Sequence, residues 1–148
     1  MESLNYLRIS SLFLGSVSKE IEEIELNSEG EINYFNYSSG KSSNLNLKKI
    51  KTCSLLMNII SHIIIYHEIL RETDKSWIRN DKTGFQELEI LYRNRHFSFK
   101  SSNLIPFYKS FYSRDPYGLQ KFSKLYIELK YLLILLYKLH FIPSIYKL

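Results

Sequence analysis

Residues 115–141 read DPYGLQKFSKLYIELKYLLILLYKLHF and carry more apolar surface than one packing contact can use. Asp115 offers a short side-chain oxygen to the free N–H groups of a helix start, and Pro116 brings a preset φ to the first helical position. This reads as a long helix. Phe122, Tyr126, Leu129, Leu133 and Tyr137 recur at three- and four-residue spacing and make a core-facing edge. Leu125, Leu132, Leu136 and Leu139 form a second edge beside it, and Ile127, Tyr131, Ile134 and Leu135 add apolar groups further round. A helix apolar on most sides must be covered on most sides, so part of the cover is expected from a partner protein.

The rest of the chain supplies strands and one more helix. Residues 4–14 alternate with a period of two, as a half-buried strand does, and residues 20–26 set glutamates against Ile21, Ile24 and Leu26. Asn27-Ser28-Glu29-Gly30 provides the turn into a strand over 31–35, and Leu45 and Leu47 hint at a short further strand. Thr52 or Ser54 can cap a helix that runs through Ile69, apolar over a broad arc. Residues 71–82 are polar apart from Trp77 and read as a loop. Residues 86–92 and 96–100 alternate on either side of Arg93-Asn94-Arg95, the pattern of a hairpin. The predicted fold is α+β, a single domain over 1–148, with an antiparallel sheet of about five to six strands and two long helices packed on one face.

Composition narrows the class without naming a function. Apolar residues at 45% and charged residues at 24% are ordinary globular values. A formal charge of +5 would suit a polyanion, but the twenty Lys and Arg residues are scattered, which is the pattern of a solvated surface. Cys53 is the sole cysteine, which excludes a disulfide framework and a Cys-based zinc cluster and fits a reducing compartment. The first residues lack a basic segment followed by an apolar one, so no secretory signal is expected. Residues 55–70 are interrupted by Asn58, Ser61, His62, His67 and Glu68, and residues 131–137 are bracketed by Lys130 and Lys138. Both read as buried helices and not as membrane spans.

Several blocks of the chain carry a resemblance: Met1-Glu2-Ser3, Tyr6-Leu7-Arg8, Gly30 before Tyr34, Trp77, and Gly84 followed by Gln86-Glu87-Leu88-Glu89-Ile90. His96, Ser98-Phe99, Asp115-Pro116, Gly118-Leu119 and Leu139-His140-Phe141 continue the series. In this order they resemble the mago nashi family, the small subunit of the core heterodimer of the exon junction complex, over residues 1 to about 145. The resemblance implies a sheet backed by two helices that bind a tsunagi-type partner across the sheet of its RNA-recognition motif (RRM). It also implies that the heterodimer holds a DEAD-box helicase clamped on spliced mRNA, with roles in splicing, export, localisation and nonsense-mediated decay. The implied subunit is non-enzymatic, needs no cofactor, meets mRNA only indirectly, does not engage membrane and resides in the nucleus with shuttling to the cytoplasm.

Carried over by residue, Leu136 matches the centre of the partner interface, and Leu125, Leu132 and Leu139 join it by helical spacing. Glu68 and Glu72 match acidic positions that would pair with basic groups on the RRM protein. Glu20, Lys41, Asp115 and Tyr117 match surfaces for accessory factors or the helicase. The chain departs from the family where Ile78-Arg79-Asn80 follows Trp77 in place of a proline run, where Tyr117 replaces an acid and where Lys138 replaces a small residue.

The alternative reading is a free-standing basic RNA-binding domain, with Phe97 and Phe99 beside Arg95 and Lys100 as a stacking platform. Catalysis is not expected. His62, His67, His96 and His140 form no recognised motif, and His62 and His67 are five apart, a poor spacing for a shared helix face.

Overall fold

The computed structural model describes residues 4–39, 44–73, 75–77, 83–102 and 113–140. Alternating side chains build a sheet from β1 (Leu4–Leu14), β2 (Lys19–Asn27), β3 (Glu31–Ser39), β4 (Asn44–Lys51), β5 (Lys75–Trp77), β6 (Gly84–Tyr92) and β7 (Arg95–Ser102). Its order is β4-β3-β2-β1-β6-β7-β5. All pairs are antiparallel except β5 with β7. Two helices, α1 (Ser54–Tyr66) and α2 (Pro116–His140), complete the α+β fold.

Register decides which residues meet the helices. Ile32, Leu26, Leu7 and Ile90 lie side by side across β3, β2, β1 and β6, and Ile24, Ile9, Leu88 and Phe99 form the next row. All eight are buried. Paired residues in a sheet share a face, so these rows form one apolar floor, and Phe122, Tyr126, Leu129 and Leu133 of α2 lie on it, fully buried. The Tyr126 hydroxyl donates to the Ser10 carbonyl at 3.1 Å, and burial pushes its pKa well above the phenol range. Lys130 reaches Glu22 at 2.9 Å, and Tyr34 donates to the same carboxylate at 2.9 Å. Burial and Glu22 push Tyr34 up to about 12. The Tyr137 ring lies 4.6 Å from that of Tyr34, so the C-terminal half of α2 is pinned to β2 and β3.

Local chemistry explains the ends. Asp115 accepts from the Gly118 N–H at 3.2 Å, the N-cap expected for α2, and a Cβ at position 118 would stand 2.1 Å from the capping carboxylate. Arg93 and Asn94, with φ of 48° and 60°, make the two-residue turn between β6 and β7. Gly84, with φ of 120°, lets β6 begin hard against β1, because a Cβ there would sit 1.8 Å from the Leu12 carbonyl oxygen.

Three expectations need correction. The sheet has seven strands, since residues 75–77, read as loop, pair with β7. Trp77 draws them in by packing 5.5 Å from Phe122 and 6.3 Å from Phe99. At the start of α1 the N-cap is Cys53 with no side-chain capping bond, and the Thr52 hydroxyl donates to the Cys53 carbonyl instead. The same helix stops at Tyr66, because Glu68 turns left-handed at φ 55° and Ile69 belongs to a 3-10 turn.

Candidate partner-binding surface

The two helices run antiparallel on the sheet, and their contacts fix the layout. Leu55, Leu56 and Ile59 at the start of α1 face Leu136 and Leu139 at the end of α2, while His67 at the far end of α1 hydrogen-bonds Glu128. In α1 the inward groups are Ile60, Ser61 and Ile64, with the Ser61 hydroxyl satisfied by the Met57 carbonyl at 2.9 Å. The outward groups are also apolar. Leu55, Ile59, Ile65 and Tyr66 of α1 and Ile127, Tyr131, Leu135 and Leu139 of α2 are all exposed, Tyr131 at 67% and Leu139 at 49%. Each such side chain gains roughly 1–2 kcal/mol when covered. A surface ion pair gives at most about 1 kcal/mol. The helical layer is therefore a strong candidate interface on energetic grounds.

Between α1, α2 and β4 this surface dips into a groove of about 500 Å³ with Ile50, Leu55, Ile59, Leu136 and Leu139 in its walls. Charge collects at the opposite end of the helix pair. Glu68 is exposed and 3.3 Å from Arg71, and Glu72 is 3.4 Å from Lys121 of α2. The layer thus offers apolar groups along its length and carboxylates at one end, the core-and-rim arrangement of protein interfaces.

The structure sorts the residues singled out from the sequence. Leu132 and Leu136 are half-buried and Leu139 is exposed, so these three share the outer surface. Leu125 does not. It is 0% exposed and belongs to the core, because its flank of α2 is closed by the rest of the chain. Ile127, Tyr131 and Leu135 had no assigned role in the sequence, and with Leu55, Ile59 and Tyr66 they supply most of the exposed apolar groups of the two helices. Four-residue spacing from Ile127 to Leu139 was the available signal, since it draws one ridge along the helix.

Glu20 is exposed at the start of β2, opposite Phe13 of β1, and the two border a groove with Ile127, Lys130 and Tyr131 of α2. Asp115 is committed to capping α2, and Tyr117 beside it is 77% exposed. Lys41, like residues 78–80, lies outside the described residues. The stacking platform is not formed. Phe97 and Phe99 are buried beneath the helices, and the Lys100 ammonium lies over Phe85 at 3.7 Å. Among the described residues no three His, Cys, Asp or Glu side chains are grouped to hold a metal, and no helix is long and apolar enough to cross a membrane.

Comparison with known proteins gives the family of the chain. The family profile described as Mago nashi protein matches residues 5–145. The chain is 34% identical over 136 residues to the protein mago nashi homolog of Arabidopsis thaliana, covering 92% of this chain and 91% of that relative. It is also 34% identical over 136 residues to the protein mago nashi homolog of Dictyostelium discoideum, covering 69% of that longer protein. The match takes in both helices and every strand but the first residue of β1, and the chain belongs to the mago nashi family.

Proposed function

We propose that this chain is a non-enzymatic core subunit of an exon junction complex, one that pairs with a tsunagi-type RRM protein through the outward face of α1 and α2. The observation that supports this reading most is the exposed apolar surface of the helical layer, which the described chain leaves for another molecule to cover. Leu55, Ile59, Tyr131, Leu135, Leu136 and Leu139 form the centre, with Leu132 at its inner margin. Glu68 and Glu72 provide the acidic rim. An RRM presents a four-stranded sheet bearing aromatic side chains, chemistry that suits an apolar surface spread over two helices.

The pair then locks the lobes of a DEAD-box helicase around spliced mRNA. The chain acts in splicing, export, localisation and surveillance of messages, in the nucleus and in transit to the cytoplasm. Tyr117, exposed at the start of α2, and Glu20 at the sheet end lie on surfaces suited to the helicase or to accessory factors. The chain itself binds RNA only through the assembly.

Titration of the full chain with the RRM protein from the same genome tests the pairing. Wild type is expected to bind tightly. Leu136→Arg and Leu139→Arg are each expected to weaken binding at least about 100-fold, since a cation would be forced into an apolar contact. Wild-type affinity in both variants would refute the assignment. Tight, salt-sensitive RNA binding by the isolated chain would favour the RNA-binding alternative.

A further inference from the structure

The face of the sheet turned away from the helices is a charged strip with an apolar margin. Across β2, β1 and β6, Glu25, Arg8 and Glu89 lie in register, and two residues along, Glu23, Ser10 and Glu87 do the same. Four carboxylates thus surround one guanidinium. Arg8 reaches Glu89 at 2.6 Å, but Glu87 only at 3.7 Å and Glu23 at 3.8 Å. Glu25 accepts from the Tyr6 hydroxyl at 2.9 Å, and His96 reaches Glu89 at 2.7 Å. Lys100 lies in register with Glu87, so four carboxylates meet two cations, Arg8 and Lys100, and in a chain of net charge +5 the strip still inverts the prevailing sign.

The same rows continue toward the sheet edge. Glu23 is followed in register by Phe35 and then Leu47, and Glu25 by Asn33 and Lys49. With Tyr34 and Lys48 these residues line a shallow groove of about 470 Å³, with the two carboxylates at one end and Phe35 and Leu47, flanked by Lys48 and Lys49, at the other. Leu47 is 67% exposed, so its side chain contributes little to the fold of its own chain. Lys49 is occupied by Glu31 at 3.1 Å and does not neutralise the acidic end.

Charge and spacing define the occupant. Carboxylates in pairs favour a guanidinium over an ammonium, because its planar fork donates to two oxygens at once. Strands lie about 4.8 Å apart, which puts the gap between β2 and β1 about 7 Å from Phe35. Side chains on one side of an extended peptide repeat at about that distance. We infer that the open sheet face binds an extended basic segment of another protein, with an arginine at Glu23 and Glu25 and an apolar side chain two residues away on Phe35 and Leu47. Nucleic acid is repelled from the same strip. This surface is separate from the helical layer, so the inference stands apart from the RRM pairing.

Fluorescence anisotropy of the full chain with a labelled peptide of repeated Arg-Ser-Leu-Ser tests it, with Lys-Ser-Leu-Ser and Glu-Ser-Leu-Ser peptides alongside. The arginine peptide is expected to bind best and the glutamate peptide not at all. Glu23→Gln with Glu25→Gln should weaken binding about tenfold or more, the scale of one lost charge-assisted hydrogen bond. Leu47→Ser should weaken it several-fold, and Leu139→Arg should leave it unchanged. Near-UV circular dichroism checks that each variant is folded, and Leu47→Ser, at an exposed position, serves if the double variant is not. Equal binding of the arginine and glutamate peptides, or wild-type binding by the altered chains, would overturn the inference. So would self-association in sedimentation runs that Leu47→Ser abolishes, because the occupant would then be a second copy of the chain.

Discussion

The outer side of the helical layer and the open face of the sheet are both left uncovered by the described chain, and they differ in kind. The first is apolar over two helices, with exposed Leu55, Ile59, Tyr131, Leu135 and Leu139. The second is charged at its centre, with Arg8 held among Glu23, Glu87 and Glu89. The hydrophobic free energy of covering a surface scales roughly with its apolar area, whereas a charged strip yields selectivity and little net stability. The contrast suggests a lasting partner on the helices and an exchangeable one on the sheet.

The largest expected effect separates core from surface on α2 itself. Leu125→Ala should lower folding stability by about 2–5 kcal/mol in denaturant titrations, as a cavity in a closed core does. Leu139→Arg should leave the denaturation midpoint nearly unchanged while abolishing the RRM pairing. If Leu125→Ala were neutral and Leu139→Arg unfolded the chain, the division of α2 would be reversed.

On the other face the effects are smaller. Burial alone pulls the Arg8 pKa down, but Glu89, Glu23 and Glu87 outweigh it and the group stays above its ordinary value. Arg8→Met should therefore cost about 1–2 kcal/mol at neutral pH. The loss has a defined sign with pH. Without the guanidinium the neighbouring carboxyls titrate higher in the fold than in the unfolded chain, so the deficit is present above their folded pKa and disappears as pH falls through it. Melting curves across the acid range measure this.

Smallest is Glu23→Gln. Burial raises the Glu23 carboxyl, and Glu25, Glu87 and Glu89 add to that against the opposing pull of Arg8. Its charged form is thus disfavoured in the fold, and the glutamine should stabilise the chain at neutral pH by about 0.5 kcal/mol after solvent screening. The gain should fade as pH falls through the raised pKa. A variant more stable yet weaker for the arginine peptide would mark the strip as kept for binding, and one less stable would mark it as a structural network.

Strand periodicity made most of the fold legible. β1 spans the residues its alternation indicates, and the hairpin of β6 and β7 and the Asp115 cap on α2 form as read. β5 was hidden because three residues carry no period, and its place is set by Trp77 packing against Phe99 and Phe122 from distant parts of the chain. Leu125 was misplaced for a related reason. Spacing gives its angle on α2 but not what lies beside that flank, and only the folded chain shows it closed. The outward set of Tyr131 and Leu135 was visible as surplus apolar surface, but only the folded chain shows Tyr131 bordering Phe13 and Glu20 of the sheet. The sheet strip required register across three strands, which no single segment contains.

Affinity purification of the tagged full chain from its own cells, with wild type and Leu136→Arg in parallel, tests the helical interface most directly. Wild type should bring down an RRM protein in near-equal amount together with a DEAD-box helicase, and Leu136→Arg should lose the RRM protein while remaining folded. Recovery of the RRM protein at the wild-type level by Leu136→Arg, or its absence from the wild-type sample, would contradict the assignment.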